Sequence, residues 1–223
     1  MQITKSFKAF FALDIMGLEK KRAKAVRQLK QIKRLISNND LRLAAEWKKK
    51  WHVLISTILS AQTKDETTIK ISDKLYKKHH SLKELADAKL KDIKRIIRPI
   101  NYYKTKARHI KEAARIITER YNGRIPKTCE ELLKLPGVGR KVANVYLVSA
   151  HNAAAIGVDT HVAYLSQMLG WTKEKHPCKI EKELERLFPK RYWNSINYIL
   201  VRFGRTYRTR KRREEKLRES GIL

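Results

Sequence analysis

The chain has 223 residues, 42% of them apolar, enough to bury one large core or two modest ones. Its 52 Lys and Arg against 22 Asp and Glu leave a formal charge of +30, so the expected partner is a polyanion, with nucleic acid favoured over an anionic membrane surface. No apolar run approaches the roughly 18 residues of a spanning helix, and eight glycines and five prolines between long Leu-, Ile-, Lys-, Arg- and Glu-rich segments favour an all-α class.

The first apolar stretch, FKAFFALDIMGL at 7–18, is interrupted by Asp14 and lacks a small-residue cleavage pattern, so it reads as a short packed helix rather than a signal peptide. Residues 18–36 then place Leu18, Val26, Leu29, Ile32, Leu35 and Ile36 at helical spacing, with cations on the other face. Ser37, Asn38 and Asn39 break that pattern. WHVLISTILSAQT at 51–63 reads as a buried helix with a polar end, and Thr63 to Asp65 start the next one, which runs through Ile69, Ile71 and Leu75. Shorter helical patterns cover 81–97 until Pro99 forces a break. Helical spacing resumes over 104–121 and closes at Asn122 and Gly123, and Pro126 and Thr128 introduce another short helix.

LPGVGRKVANVYL at 135–147 follows, a glycine turn running into a new helix. Gly137 and Gly139 allow unusual backbone angles and close approach to a large ligand, and the unpaired N–H groups of the following helix's first turn favour a phosphate. Val138 sits between the glycines, and Arg140 and Lys141 open the helix. Lys141 is then either a phosphate clamp or a reagent. An ordinary lysine amine is protonated at neutral pH and a poor nucleophile, but a neighbouring cation such as Arg140 and the exclusion of water by a bound sugar both favour the free amine. Asp159 stands 18 residues further on, ahead of an apolar-periodic run, where it is either a helix cap or a carboxylate that stabilises positive charge on a sugar or assists proton movement. Helices follow at 177–188 and 192–203, and the tail GRTYRTRKRREEKLRES is dominated by charge. Cys129 and Cys178 make no close metal-ligand pair and are expected to be reduced thiols in an intracellular protein.

LPGVGRKVAN followed by VDTHV resembles the helix–hairpin–helix DNA glycosylases, specifically the endonuclease III group of bifunctional glycosylases and abasic-site lyases. ILSAQT at 58–63, YYKTKA at 102–107 and NGRIP at 122–126 resemble further segments of that family, so the likeness runs from about 45 to 205. It implies that Lys141 is the Schiff-base lysine and Asp159 the catalytic aspartate. It also implies that Gln62 fills the gap left by a flipped nucleotide, unless it merely ends a buried helix. Tyr102 falls where the family places a wedge between bases, with ordinary packing as the alternative. His161 matches the family's histidine after the aspartate and acts either on DNA or by hydrogen bonding within the fold.

The implied architecture is two helical lobes with a DNA-binding cleft between them: 43–153 carrying the hairpin, and 1–42 with 154–223. The implied substrate is double-stranded DNA with a damaged base, an oxidised pyrimidine above all, or an abasic site, bound by a monomer without membrane contact. Two alternatives stay open: a DNA-binding module that has lost catalysis, and an enzyme of the same mechanism acting on another base or chiefly on abasic sites. Many family members hold a four-iron, four-sulfur cluster through four cysteines near the C-terminus, whereas no cysteine follows Cys178 here. No cofactor is therefore expected. The basic segment from Arg202 to Arg218 stands in the cluster's place, either covering DNA backbone by charge or forming a solvated helix end, with Trp193, Tyr198 and Phe203 as candidates to anchor the last helices.

Overall fold

The computed structural model describes residues 5–36 and 42–223, with side chains of the first helix from residue 16; the expected break at Ser37 to Asn39 lies outside the described residues. Every described element is helical: α1 (Lys5–Leu35), α2 (Lys50–Ser60), α3 (Asp65–Lys78), α4 (Leu82–Asp87), α5 (Leu90–Ile96), α6 (Tyr103–Arg120), α7 (Cys129–Leu132), α8 (Arg140–His151), α9 (Thr160–Met168), α10 (Pro177–Leu187), a 3-10 turn (Lys190–Tyr192), α11 (Trp193–Thr206) and α12 (Arg210–Glu219). The chain divides into two compact units, one of Met1–Asn39 with Val158–Leu223 and one of Asp40–Gly157.

In the central unit, α2 is the axis. Val53, Leu54, Ile55, Ile58 and Leu59 are all buried, so this helix is apolar nearly all round and packs against α3, α6 and α8. The amphipathic α6 turns Ala107, Ile110, Ala113, Ala114 and Ile117 inward against α4 and α5. At the start of α2, the His52 ring stacks on Tyr76 at 3.8 Å, and Trp47 and Trp51 meet both rings edge-on. Burial, helped by Lys49, pulls the His52 imidazole down to about 4, against a smaller opposing effect of Asp73.

In the other unit, α1 packs on α10 and α11, and α9 packs on α11. The N-terminal helix and the 18–36 helix are one element, because Gly17 lies in open space and costs an exposed helix only about 1 kcal/mol. The charged tail is a packed helix. Leu217 of α12 and Ile222 beyond it are buried, and the Arg213 guanidinium donates to the carbonyls of Gly204 (3.0 Å), Tyr207 (2.8 Å) and Arg208 (2.9 Å). The amide of the buried Gln28 on α1 donates to the Ile222 carbonyl at 2.9 Å and accepts from the Trp171 indole at 2.8 Å. A wholly solvated helix end is thereby excluded. Among the proposed anchors, Phe203 is fully buried and the Trp193 indole donates to the Phe188 carbonyl, but Tyr198 is exposed beneath the Arg202 guanidinium.

Candidate functional site

The turn between α7 and α8 is fixed from inside. Leu135 and Val138 are buried, and the Val138 amide donates to the Leu135 carbonyl at 3.1 Å, so Val138 anchors the turn by both side chain and backbone. Gly137 has φ +78, and a Cβ there would lie 3.0 Å from both Ile58 Cγ2 of α2 and His109 Cβ of α6. Its lack of a side chain is demanded by the fold. Gly139 differs: it is the N-cap of α8 with φ −90 and ψ 175, and a Cβ there would meet nothing within 4 Å. Glycine is a favourable N-cap, and the space beside it is open, so nothing within the fold would obstruct a side chain there.

Arg140 is exposed and Lys141 half-buried, both in the first turn of the 12-residue α8, whose N-terminal N–H groups and dipole favour an anion. One turn along, the buried Asn144 donates to the Ile156 carbonyl at 2.9 Å, tying the end of the central unit to the lysine's own helix.

Asp159 is the N-cap of α9, its Oδ1 accepting from the Val162 amide at 2.9 Å. This bond holds the carboxylate in one orientation, so the cap and a chemical role are compatible. Two residues later the His161 ring lies against Gly204 of α11, where any Cβ would collide with it. Tight packing between α9 and α11 is what the structure gives His161. Lys141 belongs to the central unit, and Asp159 and His161 to the other.

Gln62 and Tyr102 stand on two loops of the central unit. Gln62 lies beyond the end of α2 with φ +54, and Tyr102 precedes α6 with φ +58 and is 68% exposed. Packing in the core, the alternative for Tyr102, is not what its exposure describes. Beneath them Lys106 of α6 is only 7% exposed, and its ammonium donates to the carbonyls of Leu59 (2.7 Å) and Ala61 (2.5 Å) and to Thr63 Oγ1 (3.2 Å). Burial pulls this amine down to about 8. A lysine capping the C-terminus of α2 is favourable both for the unpaired carbonyls and for the helix dipole.

The two cysteines of this sequence do not fit the family's cluster. Cys129 begins α7 in the central unit and Cys178 lies in α10 of the other, and two thiols cannot supply four thiolates. Among the described residues no group of three or more His, Cys, Asp or Glu is arranged to hold a metal ion, and no helix is long and apolar enough to cross a membrane.

Comparison with known proteins converges on one family. Residues 55–190 match the model of the HhH-GPD superfamily base excision DNA repair protein. The chain is 46% identical over 155 residues to endonuclease III of Thermotoga maritima, covering 70% of this chain and 73% of the relative, and 40% identical over 154 residues to that of Synechocystis, covering 69% and 70%. Its structure is similar to that of a non-covalent endonuclease III–DNA complex, with a TM-score of 0.79 at 30% identity over 85% of this chain and 88% of that one. A trapped endonuclease III–DNA covalent intermediate gives a TM-score of 0.78 at 31% identity, covering 84% and 88%.

Proposed function

Because the chain belongs to the endonuclease III family of base-excision DNA repair enzymes, which are DNA glycosylases and abasic-site lyases, we propose that Lys141 and Asp159 perform both reactions on double-stranded DNA carrying an oxidised pyrimidine or an abasic site. The family match supports the reading most directly: residues 55–190 hold the hairpin, the lysine of its second helix and the aspartate cap within one continuous frame.

The damaged nucleotide leaves the stack, since its anomeric carbon is out of reach inside a duplex. Lys141 Nζ attacks C1′ as the bond to the base breaks, and the base departs with the bonding electrons and takes up a proton. The Asp159 carboxylate stabilises positive charge on the sugar and accepts the proton that the attacking amine sheds. The C1′–O4′ bond then opens, O4′ keeps the bonding pair and takes up a proton, and the resulting iminium acidifies C2′. Loss of a C2′ proton expels the 3′ phosphate by β-elimination, and water then hydrolyses the imine, freeing Lys141 and leaving an unsaturated aldehyde on one strand end and a 5′ phosphate on the other. On an abasic site the same amine condenses with the aldehyde, and water is the leaving group.

The hairpin and the first turn of α8, with Arg140, hold a phosphate of the bound strand. Gln62 occupies the space vacated by the flipped nucleotide, and Tyr102 stacks as a wedge beside it; their exposure on left-handed loop positions supports this role. The experiment is strand incision on a panel of duplexes, each with one oxidised pyrimidine or an abasic site, alongside Lys141→Gln. The reading expects wild type to nick and the variant to bind without nicking. Wild type that binds but never nicks identifies a binding module instead.

A further inference from the structure

Four described residues other than glycine take positive φ: Gln62, Tyr102, Asn122 and Asn152. The two asparagines terminate α6 and α8, where that conformation is ordinary for Asn. Gln62 and Tyr102 are the unusual pair, a glutamine and an aromatic residue held left-handed with exposed side chains.

Both loops are fastened to each other from beneath. The Asn101 side-chain amide donates to the Gln62 carbonyl at 2.5 Å, and the Asn101 backbone amide donates to Thr63 Oγ1 at 3.3 Å. Lys106, one turn into the helix that Tyr102 begins, holds the Leu59 and Ala61 carbonyls and the same Thr63 hydroxyl. Three donors on one ammonium meet three oxygens, one from the last turn of α2 and two from the cap and loop that follow, and Asn101 closes the outer edge. From this geometry we infer that Lys106 and Asn101 are positioning residues that lock Gln62 and Tyr102 into a single rigid prong, so that both enter the duplex together and open it around the damaged nucleotide. The inference deepens the proposed function and rests on its reading of Gln62 and Tyr102.

A prong assembled in advance spends no binding free energy on ordering two loops during insertion. Its loss therefore slows reaction on stacked DNA and spares chemistry on a sugar that is already unstacked. Neither Lys106 nor Asn101 is proposed to touch the reacting atoms.

The test compares single-turnover incision of an abasic site in a duplex with incision of the same site in a single-stranded oligonucleotide, for wild type, Lys106→Met and Asn101→Ala. Lys106→Met is expected to lose about 10-fold or more on the duplex and less than 2-fold on the single strand, with Asn101→Ala showing the same bias at about 3-fold. Asn101 is exposed, so its variant tests the clamp even where Lys106→Met fails to fold. Equal losses on both substrates, or no loss on either, overturn the inference. Gln62→Ala and Tyr102→Ala separate the two levels. If they leave the duplex-to-single-strand ratio unchanged, the insertion reading has failed and the clamp falls with it. If they lower the ratio while Lys106→Met and Asn101→Ala do not, the clamp alone has failed.

Discussion

The two glycines of the hairpin are separable by mutation, because the structure gives them different reasons for being glycine. At Gly137 an alanine meets a left-handed backbone, which costs an L-residue about 1–2 kcal/mol. Its Cβ also meets Ile58 Cγ2 and His109 Cβ at 3.0 Å and His109 Nδ1 at 3.1 Å. Ile58 is buried and the His109 Cβ is fixed to the α6 backbone, so neither yields freely, and overpacking of this kind adds about 1–3 kcal/mol. Lower entropy of the unfolded alanine variant returns roughly 0.4–1 kcal/mol. The net loss for Gly137→Ala is about 1–5 kcal/mol, centred near 3, which in a chain of this size lowers Tm by roughly 6–12 °C at the central value. Gly139→Ala meets neither strain nor neighbours and forfeits no more than about 1 kcal/mol from a poorer cap. It nevertheless adds a methyl group where the proposed phosphate approaches, and is expected to weaken binding to an abasic-analogue duplex at least 10-fold. Urea unfolding followed by circular dichroism and duplex binding by fluorescence anisotropy at one fixed salt concentration read the two effects independently. Gly139→Ala binding within 2-fold of wild type would refute the hairpin's phosphate role, and a Gly137→Ala protein as stable as wild type would refute the packing analysis.

Asp159→Asn keeps a good helix cap and removes the charge, so Tm should move by no more than about 2 °C while base excision falls at least 100-fold; Asp159→Ala should add about 1 kcal/mol of destabilisation from the lost cap, and both are read by melting and single-turnover kinetics. His52 gives a pH dependence of known sign. Its folded-state value of about 4 lies below the ordinary 6.5, so the unfolded chain binds the extra proton, and stability present above 6.5 is lost as pH falls towards 4. Stability at pH 5 should therefore lie below that at pH 7, and His52→Phe should flatten that part of the profile in urea titrations at the two pH values. Gly204→Ala drives a methyl into the His161 ring and should cost about 1–3 kcal/mol, with much of it recovered in the double variant carrying His161→Ala, a coupling that a double-mutant cycle measures.

Periodicity made most of the helices legible. The stripes of α6 and α10 follow a 3.6-residue repeat, the unbroken apolar run of α2 marks a buried helix, and Pro99, Gly123, Thr128 and Asp159 mark boundaries by chemistry that acts within a few residues. The tail was less transparent, because Leu217 and Ile222 are isolated apolar residues in a run of charge and form no stripe. Burial of Lys106 was also hidden. It is one lysine among many in the sequence, and only the arrival of the α2 carboxyl end makes it a cap. Asn144 and Asn101 escaped for the same reason, since their partners lie 12 and 39 residues away. Gly204 falls just past the expected helix at 192–203, whereas α11 runs on through it to Thr206, so its packing role was not legible either. The hairpin motif drew attention to both of its glycines alike, and only the backbone angles and the surrounding space tell them apart.

The central claim is that one amine, Lys141 Nζ, becomes covalently joined to the sugar. Reduction with borohydride during reaction with an abasic duplex freezes that imine as a stable secondary amine, and tandem mass spectrometry of the digested adduct locates it. The account predicts the nucleotide remnant on the peptide containing Lys141 and no adduct in Lys141→Gln. A remnant on any other residue, or an undiminished adduct in the variant, contradicts it.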